Sequence, residues 1–127
     1  MSIYDDIKQS KISVFKVNDQ QIKASFEFQQ DLDIFIGHFP GDPMLPGVFQ
    51  IEMVKYVLEE LYGTALNISS IKKTKFSSLI RPDIAICLDI TINKQQGGQL
   101  DVKAILRAGD KIAGKTNLIL IKKDVSQ

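Results

Sequence analysis

The sequence predicts an α+β domain in which one long helix is wrapped by a curved antiparallel sheet of about six strands. Three observations lead there. Two-residue alternation of apolar and polar side chains runs through segments near both ends of the chain. A single segment between them, 47–62, is made of residues that tolerate a helix and has no internal Gly or Pro. No repeat, low-complexity tract or linker divides the 127 residues, so residues 1–127 read as one domain.

The first strand is predicted over 12–17, where β-branched and aromatic residues dominate, and Asn18-Asp19 supplies a turn. Ile22, Ala24, Phe26 and Phe28 then alternate with Gln21, Lys23, Ser25 and Glu27, the mark of a half-buried strand. In 47–62 (GVFQIEMVKYVLEELY), Val48, Phe49, Ile51, Met53, Val54, Val57, Leu58 and Leu61 nearly encircle the helix, so it must be buried on most sides. One polar stripe remains, Glu52, Lys55 and Glu59, and Gly63 is placed to cap the C-terminus. Residues 70–77 form a weaker strand. Ile84, Ile86, Leu88, Ile90 and Ile92 share one face of the next, and Leu100, Val102, Ala104 and Leu106 one face of the strand after Gly97-Gly98. Gly109-Asp110 introduces a last strand near 111–121, and the expected connectivity is a meander.

Composition narrows the function classes. The single cysteine, Cys87, has no partner for a disulfide and no CxxC or Cys/His spacing for zinc. The opening residues MSIYDDIKQSK carry two acids and no apolar core, and no apolar run reaches the length of a membrane span, so a cytoplasmic protein is expected. Net charge is only +1 but uneven: residues 1–63 hold ten Asp/Glu against five Lys, and 64–127 hold eleven Lys/Arg against five Asp. The basic half is able either to solvate strand surfaces or to face an acidic partner. No base-reading motif accompanies those lysines, which argues against nucleic acid.

The chemistry concentrates in Gly37-His38-Phe39-Pro40-Gly41-Asp42-Pro43-Met44-Leu45-Pro46-Gly47, which holds three of four prolines and the only histidine. Prolines fix φ and push preceding residues toward extended conformations, while Gly41 and Gly47 permit close backbone approach, so this loop is stiff and shaped. With Pro46 near the first helical position, the N–H groups of Gly47 and Val48 fall among the unpaired donors of the helix start and suit a developing negative charge. His38 is the one side chain here whose unperturbed pKa lies near neutrality, and Glu52 follows fourteen residues later on the helix, a base and an acid without a metal. Taken singly, His38 also reads as an ordinary turn residue and Glu52 as one member of a solvated stripe.

The whole string GHFPGDPMLPGVFQIE closely resembles the signature of the β-hydroxyacyl-acyl-carrier-protein dehydratases of the FabZ/FabA type. The resemblance implies the hot-dog fold, a long helix wrapped by an antiparallel sheet, and a catalytic His38 opening the HFPG motif (Phe39, Pro40, Gly41). It further implies Gly47-Val48 as the thioester-binding step after Pro46, and Glu52 as the acid. Glu rather than Asp at this position resembles the branch that dehydrates without isomerising. A weaker likeness runs through 70–92, where KTKFSSLIRPD resembles a K-x-x-F strand leading to a Pro-Gly-Asp turn.

There are departures. Tyr56 stands where the family usually has Gln, Pro82-Asp83-Ile84 stands for Pro-Gly-Asp, and an N-terminal block rich in Tyr, Pro and Leu is missing. The implied reaction is loss of water from a 3-hydroxyacyl thioester to give the trans-2-enoyl thioester. No cofactor or metal is implied beyond the phosphopantetheine arm of an acyl-carrier protein that carries the substrate. Lys72, Lys73, Lys75 and Arg81 become candidates for docking that acidic carrier. The resemblance further implies a homodimer, or a trimer of dimers, in which each site would combine His38 of one subunit with Glu52 of the other. Two alternatives stand beside the dehydratase: a thioesterase on the same fold, and a non-catalytic acyl-binding subunit.

Overall fold

The computed structural model describes residues 3–35 and 41–123. Its elements are helix α1 (Ile3–Ser10), strands β1 (Lys11–Asn18) and β2 (Gln21–Glu27), a 3-10 turn (Asp33–Phe35), helix α2 (Val48–Tyr62), and strands β3 (Leu66–Phe76), β4 (Ala85–Gln96), β5 (Gln99–Ala108) and β6 (Lys111–Lys122). All strand pairs are antiparallel, and the six strands form one sheet in the order β1-β2-β4-β5-β6-β3. No helix among the described residues is long and apolar enough to cross a membrane.

The alternation translates directly into burial. Ile22, Ala24, Phe26 and Phe28 are all buried, as are Ile86, Leu88, Ile90, Ile92, Leu100, Val102, Ala104 and Leu106. These side chains line the sheet face that covers α2, whose Met53, Val57 and Leu58 are fully enclosed. Each such side chain contributes about 1.5–3 kcal/mol through removal from water. Val48 is the exception on the helix, 56% exposed at its first residue. The opposite sheet face is mixed: Phe15 and Ile121 are exposed on it, and Asp89 on β4 meets Lys23 of β2 at 3.7 Å and Arg107 of β5 at 3.1 Å. Gly63 closes α2 as predicted, donating its N–H to the Glu59 carbonyl at 2.9 Å.

The structure corrects three expectations. β3 does not lie between its sequence neighbours: it crosses to the far edge and pairs with β6, so the meander holds only for β4-β5-β6. It is also longer than predicted, beginning at Leu66, because Leu66 and Ile68 pack inward on α2 and the core. Finally, Ile3–Ser10 forms a helix where no element was predicted. Eight residues are too few for a helix to stand by itself. It survives by tertiary contact: Ile7 is fully buried, and Tyr4 meets the Tyr56 ring edge-on at a centroid distance of 5.5 Å.

The Pro82-Asp83-Ile84 departure has a local explanation. Asp83 has φ +62 and donates its N–H to the Phe28 carbonyl at 2.8 Å, so the turn demands the left-handed conformation, which glycine adopts without cost and Asp tolerates. Replacing Asp83 by Gly is therefore expected to stabilise the fold by about 0.5–1 kcal/mol, read as a rise of about 2–5 °C in thermal midpoint; a fall would show that the carboxylate contributes more than the backbone strain costs.

Candidate active site

The start of α2 is the focus. Gly47 is the N-cap, with helical φ −55 and ψ −34 and no side-chain cap. Pro46 therefore sits one residue before the cap, and its carbonyl accepts the Phe49 N–H at 3.0 Å while the Gly47 carbonyl accepts the Gln50 N–H at 2.9 Å. Two of the four donors at the helix start are thus used. The N–H groups of Gly47 and Val48 have no acceptor among the described residues, as an anion-binding helix start requires. Gly47 is also needed sterically: a Cβ there would lie 2.5 Å from Cδ2 of Phe76, whose ring is packed over the backbone.

The described part of the preceding loop, residues 41–46, is tied down rather than merely stiff. Leu45, 1% exposed, donates its N–H to the Ile80 carbonyl at 2.7 Å in an isolated bridge, and Asp42 pairs with Arg81. Gly41 has φ +83 with open space around it, so conformation rather than close packing selects it. His38, Phe39 and Pro40 lie outside the described residues.

Glu52 lies on the partly exposed strip of α2, one turn after Val48. At 1.5 Å rise per residue its Cα is roughly 7 Å along the axis from Gly47, and the backward tilt of helical Cβ atoms inclines its side chain toward the free donors. The strip is not a solvated face: Glu52, Lys55 and Glu59 are each only partly exposed. Tyr4 of α1 donates its hydroxyl to Glu59, which also accepts the Leu66 N–H at 2.7 Å, and Lys55 Nζ lies 5.6 Å from the Tyr4 ring centroid. Burial holds the Tyr4 hydroxyl far above its ordinary pKa, aided by the hydrogen bond to Glu59 and the charges of Glu59 and Glu52. Tyr56, at the family's Gln position, faces the same assembly: it is buried, donates to Glu60 at 2.7 Å, and has its pKa pushed up to about 12 by burial and then by Glu60.

A cleft of about 740 Å³ opens beside Gly47, lined among others by Leu45, Phe76, Leu79, Arg81, Ile84 and Lys111. Phe76 also walls a small inner pocket between α2 and the sheet, shared with Gln50, Val54, Leu88, Ala104 and Leu106. Tyr56 lines neither of them. Phe76, Leu79 and Lys111 were not singled out individually from sequence; only the K-x-x-F pattern pointed to the first. Of the docking candidates, Lys72, Lys73 and Lys75 are exposed on the β3 edge, where Lys73 has φ +42 within an irregularity of the β3–β6 register, and Arg81 is engaged with Asp42. Among the described residues no group of three or more His, Cys, Asp or Glu is arranged to hold a metal.

A long helix enclosed by one six-stranded antiparallel sheet, with free donors and a carboxylate at its start, is the hot-dog architecture of acyl-thioester enzymes. Residues 14–115 match the ApeI-like family, described as ApeI dehydratase, and the chain belongs to that family. The 3-hydroxyacyl-[acyl-carrier-protein] dehydratase FabZ of Levilactobacillus brevis is 31% identical over 96 residues, 70% of this chain and 65% of the relative. The same-named protein of Lactobacillus helveticus is 31% identical over 99 residues, covering 72% and 67%. The chain thus spans about two-thirds of the length of these curated relatives. Among solved structures, the dehydratase heterocomplex ApeI:P from Xenorhabdus doucetiae superposes with a TM-score of 0.72 at 27% identity, covering 87% of this chain and 96% of that one. A hypothetical thioesterase with coenzyme A from Streptococcus pneumoniae shares the fold at 10% identity and a TM-score of 0.61, over 87% of each chain.

Two outcomes follow from this geometry. A Gly47→Ala substitution is expected to destabilise by about 1–3 kcal/mol through the clash with Phe76, and Phe76→Leu in the same chain to recover most of the loss; an unchanged Tm in the single variant would show that the ring moves freely. Tyr56 keeps its proton in the folded state to about pH 12 while an unfolded tyrosine releases it near 10. Stability is therefore whole below pH 10 and declines as pH rises toward 12. Tyr56→Phe should reduce that alkaline decline in denaturant titrations, and equal declines in both proteins would refute the assignment.

Proposed function

We propose that the protein is a 3-hydroxyacyl-[acyl-carrier-protein] dehydratase, acting in specialised lipid or polyene synthesis or in fatty-acid elongation. The observation that carries this reading is the helix start, where the Gly47 and Val48 N–H groups have no acceptor among the described residues, Gly47 lines a cleft, and Glu52 follows one turn later on the same helix. The matches to FabZ dehydratases support the substrate class, and the departures at Tyr56 and Pro82-Asp83-Ile84 support a specialised use over housekeeping elongation.

Loss of water from such a substrate needs removal of a weakly acidic C2 proton, stabilisation of charge on the thioester oxygen, and protonation of the departing hydroxyl. His38 takes the C2 proton. The Gly47 or Val48 N–H, reinforced by the positive end of the helix dipole, holds the oxygen on which charge develops. Protonated Glu52 gives its proton to the C3 hydroxyl, the C3–O bond breaks, water leaves, and the C2–C3 double bond forms. Return of the His38 proton to the Glu52 carboxylate through solvent resets the site. No cofactor is called for, since the substrate arrives on a phosphopantetheine arm, and Lys72, Lys73 and Lys75 on the β3 edge suit the acidic carrier that bears it.

A homodimer is the proposed working form, each site drawing His38 from one subunit and Glu52 from the other. Val48, Ile71, Phe76 and Leu79 are each more than 40% exposed on the side that carries the helix start and β3. That apolar area favours association over an isolated chain. The Xenorhabdus relative is described as a heterocomplex, so native mass spectrometry would distinguish self-pairing from a need for a second chain.

The deciding experiment follows conversion of carrier-bound 3-hydroxyacyl thioesters by the mass of one water, in both reaction directions. His38→Ala and Glu52→Gln are expected to fold and to lose turnover by about 100-fold or more. An equal mixture of the two should recover activity through hybrid dimers that hold one intact site. Free thiol release without water loss would favour a thioesterase, and folded protein inert in both directions an acyl-binding subunit.

A further inference from the structure

Helix α1 touches both elements that lead to the proposed catalytic pair. On one side Tyr4 bonds Glu59, two turns beyond Glu52 on α2. On the other, Asp6 Oδ2 accepts the Ile34 N–H at 2.7 Å, across 28 residues of sequence. Ile34 lies within the 3-10 turn Asp33–Phe35, four residues before His38. Within the turn the Phe35 N–H bonds the Leu32 carbonyl at 3.0 Å, and the contact from Asp6 ties its middle residue to α1.

Asp6 is an expensive residue to place there. It is 1% exposed, and its Oδ1, also out of solvent, has no hydrogen-bond partner among the described residues. Burying a carboxylate with half its acceptor capacity unused costs stability. An apolar residue would serve packing better, so the placement makes sense for what the carboxylate holds. The helix is fixed on either side of it: Ile7 is fully buried, and the Ser10 hydroxyl donates to the Asp6 carbonyl at 2.7 Å.

We infer that Asp6 is a positioning residue, which by holding the Ile34 N–H sets where the chain enters the His38 segment relative to the helix that carries Glu52. This rests on the reading of His38 and Glu52 as the acid–base pair. Misplacement of a reacting group by about 1 Å is worth up to about 100-fold in rate, so loss of this hydrogen bond acts on turnover more than on substrate binding.

The test compares wild-type protein with Asp6→Ala, Asp6→Glu and Asp6→Asn, assayed for dehydration well below the lowest of their Tm values and normalised to folded protein. Asp6→Ala removes the acceptor, Asp6→Glu displaces it by one methylene, and Asp6→Asn keeps it in place without the charge. Expected are a kcat lowered by about 10-fold or more in Ala and Glu with KM within about twofold, and Asn within about threefold of wild type. If Asp6→Ala does not fold, Glu and Asn carry the comparison. Wild-type kcat in Asp6→Glu, a loss confined to KM, or an equal loss in Asp6→Asn would each overturn the inference. Inactive wild-type protein, or His38→Ala that dehydrates at the wild-type rate, would instead overturn the reading beneath it.

Discussion

A helix that is apolar on nearly every side has to be enclosed, and the rest of this structure follows from that requirement. A flat sheet covers one face of a helix; six strands in one sheet, with inward-facing residues from β2, β4 and β5 buried in register, cover most of its circumference. Apart from Glu60, Leu61 and Tyr62 in its last turn, the strip of α2 left to the outside carries Val48, Glu52, Lys55 and Glu59. Whatever the helix does to another molecule, it does along that strip or from its N-terminal end.

The two coincide. A helix start leaves backbone donors unpaired by geometry, and here two of them are satisfied locally, while those of Gly47, which lines a cleft, and of Val48 have no acceptor among the described residues. Glu52 follows one turn after Val48 on the same side. Further along, α1 roofs the strip, so Lys55, Tyr56 and Glu59 are committed to Tyr4 and to the chain entering β3. The outer surface of the helix is thereby divided into a reactive end and a structural end by one short helix.

Most of the fold was legible in the sequence because strands with one buried face announce themselves by period, and five of six strands follow from alternation or β-branched runs alone. Gly63 marked the end of the helix, whereas Pro46, expected near the first helical position, stands one residue before the N-cap Gly47. What escaped has physical reasons. Among its described side chains helix α1 buries one aliphatic, Ile7, and it has no length to show a period. The place of β3 at the far edge is decided by which strand it meets in space, and no local pattern encodes that. For the site, the motif at 37–52 pointed to the right helix end and to Glu52, whereas the roles of Phe76 above Gly47 and of Asp6 beneath Ile34 depend on contacts across 29 and 28 residues.

The pairing of β3 with β6 also orders events in time. Leu66 meets Lys122 and Phe76 meets Gly114, so the two strands that close the far side of the sheet are separated by 38 to 56 residues at every matched position. A chain made from its N-terminus has α2 in hand long before β6 exists, and β3 has no partner until the last strand arrives. Through that interval the helix keeps much of its apolar surface bare, and the unpaired edge of β3 waits beside it. Lysines at 72, 73 and 75 charge that waiting edge, which discourages other strands from taking the place of β6 while the chain is still incomplete.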